Sequence, residues 1–207
     1  MPKANAMKFR ILTLLAFAVC SSAATAHSKV PAAGPGTSGL AGETVLIVRH
    51  AEKPETGTGL TLAGEQRAQA YVKYFSSFSL NGKKAAPQYL IAAADSHASQ
   101  RPRLTIEPLS QALHLPIHQD FSDKQFAQLA ADLRSVRHGK TILVSWHHGE
   151  IPALVRALGV DPTTVLPGPK WPANVFGWVV VIHYKHNGKP GRAQLIHENL
   201  LPDDQGQ

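Results

Sequence analysis

Apolar residues along this chain fall into two alternating rhythms. Short runs at Val45-Leu46-Ile47-Val48, Gln88 to Ala94, Thr141 to Trp146 and Phe176 to Tyr184 have the length and β-branched content of buried strands, and Ala193 to Ile196 reads as one more. Between them apolar positions recur at helical spacing. Thr61 is placed to cap a helix running to about Ser77, with Ala70, Tyr74 and Phe78 four apart on one face. A polar corner, Asp95-Ser96-His97-Ala98-Ser99, precedes a helix reaching Leu113; Pro102 is tolerated only near a helix start, which puts Arg101 at its N-terminus, where backbone donors favour an anion. A third helix is predicted from Ser122 or Asp123 to about Arg137. Gly139-Lys140 then turns into the strand Thr141 to Trp146, and a fourth helix, seeded by Ile151, Leu154, Val155 and Leu158, stops at Gly159. Asn187-Gly188 predicts a tight turn joining the last two strands as an antiparallel pair. Strand and helix alternate, so the fold class is α/β, and there is no internal repeat.

Charge interrupts the first strand at a significant place. Arg49-His50-Ala51-Glu52 follows the apolar run directly, at the sheet edge where open α/β folds bind ligands. Arginine offers a rigid fork of donors suited to phosphate, and histidine is a neutral nucleophile near pH 7. The pair suggests phosphoryl transfer through a phosphohistidine; the competing reading is a strand-end salt bridge with a chance neighbour.

Three further segments follow in register: Leu60-Thr61-Leu62-Ala63-Gly64, Arg101-Pro102-Arg103-Leu104-Thr105, and Gly139 to Gly149 with His147-His148 after its strand. With these, the chain resembles the histidine phosphatase superfamily from about Glu43 to Leu201, Ala51 replacing the family's glycine. The resemblance implies a phosphoglycerate-mutase-like three-layer α/β/α sandwich with a mostly parallel central sheet. It implies His50 as nucleophile, Arg49 and Arg101 as the phosphoryl clamp, and a second histidine completing the pocket. A gap-free match through Ile151-Pro152 selects His147 for that place, whereas the His-Gly dipeptide selects His148. For the general acid, Asp120, Asp123 and Glu150 stand in the corresponding places, and a good leaving group needs none. Glu52 reads either as orienting Arg49 or its loop, or as a surface salt bridge. Lys53 and Arg103 read as solvated charges, and His97 as a chance placement near the pocket. The apolar run Val175 to Ile182 reads as core, and the Pro-rich segment Leu166 to Pro172 as a pocket wall or a rigid connection.

The N-terminus has the anatomy of a secretory signal. Lys3, Lys8 and Arg10 precede the apolar stretch Ile11 to Val19, which runs into Ala24-Thr25-Ala26. The expected organisation is a signal peptide over 1–26, a flexible lead-in over 27–42, a catalytic domain over 43–201 and a tail over 202–207, with a periplasmic or secreted location. Cleavage removes the only cysteine, Cys20; Val19 before it argues against lipid attachment there. Residues 1–26 carry three cations and no acid, so their loss lowers the formal net charge from +7 to +4. That balance helps attract anions. With no long Lys/Arg run or aromatic stacking pattern, nucleic acid is excluded as a partner, as is stable membrane insertion after cleavage. The expected partner is a small phosphorylated substrate or a phosphoprotein. The scheme calls for no cofactor, and no spaced ligand set insists on a metal. The rival functions are a non-catalytic phosphate-binding protein on the same fold, a phosphomutase and, more remotely, a histidine-rich metal binder. Substrate identity and oligomeric state leave no readable signal.

Overall fold

The computed structural model describes residues 39–135 and 137–204, so the expected signal peptide and Cys20 lie outside the described residues. In chain order the elements are β1 (Thr44–Arg49), α1 (Leu62–Ser76), β2 (Ser79–Leu80), β3 (Lys83–Lys84), β4 (Tyr89–Ala92), α2 (Arg101–Leu113), β5 (Ile117–His118), α3 (Phe126–Ser135), β6 (Thr141–Trp146), α4 (Ile151–Ala157), β7 (Trp178–Tyr184) and β8 (Pro190–His197), with 3-10 turns at Pro162–Thr164 and Pro202–Asp204. Six strands form one sheet in the order β5-β4-β6-β1-β7-β8, and β2-β3 is a separate hairpin. β1, β4, β5 and β6 pair in parallel, while β7 runs antiparallel to both β1 and β8. β8 therefore runs with β1 again, and β7 alone opposes the rest.

Strand alternation sends successive side chains to opposite faces, and each face has its own helices. Val45, Ile47, Ile142 and Val144 pack with Leu129, Leu133, Leu154 and Val155 of α3 and α4. Leu46, Val48, Leu143 and Val179 pack with Tyr71, Phe75, Ile106 and Leu109 of α1 and α2. The result is a three-layer α/β/α sandwich with a mostly parallel sheet. Phe75 is fully buried in the second layer, and truncating such a side chain to alanine costs about 3–5 kcal/mol.

Local chemistry explains the boundaries. Thr61 caps α1, its Oγ1 accepting from Gly64 N at 3.1 Å. α3 starts at Phe126, later than Ser122 or Asp123, because Ser122 and Gln125 close a turn first: Ser122 N donates to Gln125 Oε1 and Gln125 N to Ser122 O. The hairpin β2-β3 turns at Asn81-Gly82, both with positive φ, the dipeptide a two-residue hairpin favours. Strands of two residues have no periodicity to read, which is why this hairpin and β5 escaped the sequence pattern.

Two boundaries move. The end of the expected lead-in is already part of the domain: Leu40 is fully buried, and Gly39 N donates to Arg134 O. The expected C-terminal tail is anchored over its first three residues, since Asp204 is buried and accepts from the backbone N–H groups of Leu200 and Leu201.

Candidate active site

The C-terminal ends of β1, β4 and β6 meet at one edge of the sheet, and the candidate residues stand there. His50, just past β1, is 2% exposed, and its N–H donates to Trp146 O at the end of β6. Its Nδ1 lies 2.7 Å from Ala51 O. A carbonyl only accepts, so Nδ1 carries the proton and the Nε2 lone pair is left as the nucleophilic one. Burial pushes the His50 pKa down to about 3, opposed by the Ala51 carbonyl and reinforced by the charges of Arg49, His147 and Arg101. The imidazole is neutral over the physiological range.

Arg49 ends β1 with its side chain wholly buried. Nη1 donates to Ala173 O at 2.7 Å and Val175 O at 2.8 Å, with a longer contact to Pro172 O, and the Phe176 ring lies 3.7 Å from Cζ. Nε and Nη2 are buried without a hydrogen-bond partner. These two are the donors that grip an oxyanion side by side. Desolvation lowers the Arg49 pKa to about 10, opposed by the charge of Glu52 and reinforced by those of Arg101 and Arg67, so the cation persists at neutrality.

Arg101 opens α2. Its Nη1 and Nη2 donate to Gly57 O and Ala98 O, and its Nε is buried and unpartnered. The four-residue spacing from Arg101 to Thr105 has a structural reason. Thr105 Oγ1 donates to Arg101 O at 2.7 Å and accepts from Ala51 N at 2.8 Å, tying the nucleophile loop to the first turn of α2. Burial lowers the Arg101 pKa.

His147 is the histidine set against His50, with ring centroids 5.1 Å apart in an edge-on arrangement. It lines a cleft of about 290 Å³ with Ser99, Arg101 and Asp123. Burial holds the His147 pKa below the usual range; Asp123 and Glu150 oppose that shift, and Arg101 and Arg49 add to it. His148 is half-buried with an unpartnered Nδ1; burial and the charges of Arg49, His147 and Lys53 lower its pKa too.

Of the three candidate acids, Asp123 lines the cleft and Asp120 does not. Asp120 is exposed, near Tyr89. Glu150, at the N-cap of α4 without a capping bond, pairs with Lys124. His97 is exposed and is not part of the cleft lining. Arg103 does not itself line the cleft and is not simply solvated: it pairs with Glu107 and with Asp95, a lining residue of the cleft.

Of the readings for Glu52, it is the loop that it holds, with neither a hydrogen bond to Arg49 nor an ion pair to a surface cation among the described residues. Its carboxylate grips Arg67 of α1, at 2.6 Å from Nη2 and 3.0 Å from Nε. Arg67 also binds Asp204 and Glu198, and Glu198 accepts from the Tyr71 hydroxyl. This buried cluster went unseen in sequence because the three acids lie 15 to 137 positions from Arg67. A Cβ on Gly64 would sit 2.6 Å from Glu52 O, so the glycine lets α1 press against the nucleophile loop. A strap from Trp171 to Phe176 cradles Arg49, and Trp171 Nε1 donates to Val175 O within it; the segment Leu166 to Pro172, read from sequence as a pocket wall or a rigid connection, supplies only its start, and the part beyond Pro172 was not anticipated.

Among the described residues no group of three or more His, Cys, Asp or Glu side chains is placed to hold a metal ion, and no helix is long and apolar enough to cross a membrane.

No protein-family model and no curated protein matches the chain. Solved structures do. The protein histidine phosphatase SixA, solved with tungstate, is 15% identical with a TM-score of 0.49, covering 75% of this chain and 97% of its own. The mycobacterial glucosyl-3-phosphoglycerate phosphatase is 12% identical with a TM-score of 0.46, covering 76% and 98%. The phosphoglycerate mutase of Bacillus anthracis is 12% identical with a TM-score of 0.43, covering 72% and 90%. The chain is similar in fold to histidine phosphatases and phosphoglycerate mutase. At such low identity the chemistry rests on the site's own residues.

Proposed function

We propose that this protein is a phosphatase that hydrolyses a phosphomonoester through a phosphohistidine on His50. The observation that carries this reading is the unpaired Nε and Nη2 edge of a fully buried Arg49 beside a neutral, pre-oriented imidazole. Burying unpaired donors of a cation costs several kcal/mol, and a bound oxyanion removes that penalty. His50 Nε2 attacks phosphorus while the ester P–O bond breaks. Arg49 and Arg101 neutralise the equatorial oxygens, with His147 donating from the opposite side once the dianion has raised its pKa. Water then breaks the P–N bond, releasing phosphate and regenerating the imidazole. His148, with its unpartnered Nδ1, adds a further donor.

In this scheme Asp123, the candidate acid that lines the cleft, gives a proton to the departing oxygen from its protonated form as the ester bond breaks, and takes one back from the water that splits the P–N bond. Asp123→Asn is expected to slow turnover of an alkyl phosphate by about 10²-fold while sparing an aryl phosphate, whose leaving group needs no acid. Equal loss on both substrates would remove it from that role.

The deciding experiment is hydrolysis of an aryl phosphate by the wild type and His50→Ala, with trapping of the phosphoenzyme. Turnover and an acid-labile phosphoenzyme are expected in the wild type and absent in the variant. Phosphate binding without turnover or phosphoenzyme, on alkyl as well as aryl esters, would instead identify a binding protein. Export belongs to the same proposal: removal of residues 1–26 gives a mature chain starting at His27, and a start at Cys20 by mass spectrometry would refute it.

A further inference from the structure

The end of the sheet opposite His50 holds a second concave site of a different make. A cavity of about 330 Å³ opens where β1, β6 and β7 begin or end, between the β2-β3 hairpin and β8. Thr44, the first residue of β1, lines it, so it lies a strand's length, roughly 20 Å, from the nucleophile. Lys83 and Lys84 of the hairpin, Lys140 before β6, Arg192 of β8 and His183 of β7 surround it, over an apolar floor that includes Leu80 and Val181. No acidic side chain lines it. Among the described residues, none of these four Lys/Arg cations has an ion-pair partner, whereas Arg67, Arg103 and Lys124 all do.

Isolated lysines on a convex surface need no explanation. Four exposed cations around one concavity repel one another, and their fields add in the space they border. The hairpin turns at Asn81-Gly82, and its base is closed by Ala85 N donating to Phe78 O at 2.9 Å. His183 is fixed by its Nδ1 contact with Thr44 Oγ1 at 3.1 Å. No aromatic ring other than that imidazole lines the cavity, which argues against a stacked nucleobase.

We propose that this cavity binds a small polyanion carrying two or more phosphate-like groups, at a site separate from the His50 pocket. The proposal does not depend on the phosphatase reading. The test is calorimetric titration of the full chain with inorganic tripolyphosphate, in the wild type, in Lys84→Glu with Arg192→Glu, and in Arg49→Ala. Binding is expected to persist in Arg49→Ala and to weaken at least ~10-fold in the charge-reversed pair, with turnover of the aryl phosphate unchanged. It should also weaken steeply as salt is raised, because exposed charges are screened. Where circular dichroism shows the reversed pair misfolded, Lys83→Gln with Lys84→Gln on the exposed hairpin takes its place, with a loss of about 3- to 10-fold expected. Unchanged affinity in the distal variants, or loss in Arg49→Ala alone, would overturn the proposal.

Discussion

Arg49 and Arg67 are both buried arginines within reach of the nucleophile loop, and they are opposites. Arg67 has three acidic side chains around it, with Nε, Nη1 and Nη2 all engaged. Its pKa rises, because the bonds from Asp204 and Glu52 outweigh its desolvation. Arg49 has backbone carbonyls on one nitrogen, an aromatic ring beside it and nothing on the other two. Its pKa falls. Burial alone therefore does not mark a functional arginine. What separates the two is whether the fold supplies the counter-charge or leaves it to a ligand.

The comparison is most open to breaking by exchanging the roles. Arg67→Ala leaves three acids packed together, and is expected to lower unfolding free energy by about 3–5 kcal/mol in denaturant titration, the usual cost of removing one partner from a buried ion pair. Arg49→Ala is expected to reduce kcat/KM by about 10²- to 10³-fold, about 3–4 kcal/mol of transition-state stabilisation, with a much smaller change in stability. Reversed outcomes, an unstable Arg49 variant and an inactive but stable Arg67 variant, would break the distinction.

Inorganic phosphate sharpens it. At 100 times its dissociation constant it should stabilise the wild type by about 2.7 kcal/mol, and a cooperative rise in Tm measures this. The gain should vanish in Arg49→Ala and survive in Glu198→Gln.

The two regions also respond to pH with opposite sign. His50 has a folded pKa of about 3, below its unfolded value, so the unfolded chain binds the extra proton and stability falls as pH drops from about 6.5 toward 3. Glu198 is fully buried, and desolvation, with the charge of Asp204 behind it, pushes its pKa up to about 8 against the pull of Arg67 and Tyr71. There the folded state holds the proton, and stability falls as pH rises from about 4.5 through 8. Each slope is at most about 1.4 kcal/mol per pH unit. His50→Gln should flatten the acid limb and Glu198→Gln the alkaline one, measured as ΔG against pH.

The smallest effect is expected at Gly64. Gly64→Ala forces its Cβ against Glu52 O, so the nucleophile loop must shift. A stability loss of about 1–3 kcal/mol and reduced turnover are expected together, because one loop serves both the Arg67 cluster and His50.

Much of this was open to reading from one dimension. The strand Thr141 to Trp146 was placed at both ends, because six consecutive buried residues between a Gly-Lys turn and two histidines leave little choice. The Thr61 cap and the Pro102 start of α2 were equally local, since capping and proline act within a turn. The choice between His147 and His148 was not local. Adjacent residues on a turn share every short-range signal, and the contact of His147 with the His50 ring exists only once β1 and β6 pair in parallel register.

The sequence by itself therefore determined the order of the longer elements, the α/β class and the residue types at the sheet's ligand-binding edge. Those depend on periodicity, propensity and side-chain chemistry, which are properties of neighbours in the chain. The tertiary structure decided which arginine is paired, which histidine meets His50, what braces Arg49, and that four cations from the hairpin, the start of β6 and β8 surround one cavity. Those facts depend on distances between residues far apart in sequence, and only packing the layers sets such distances.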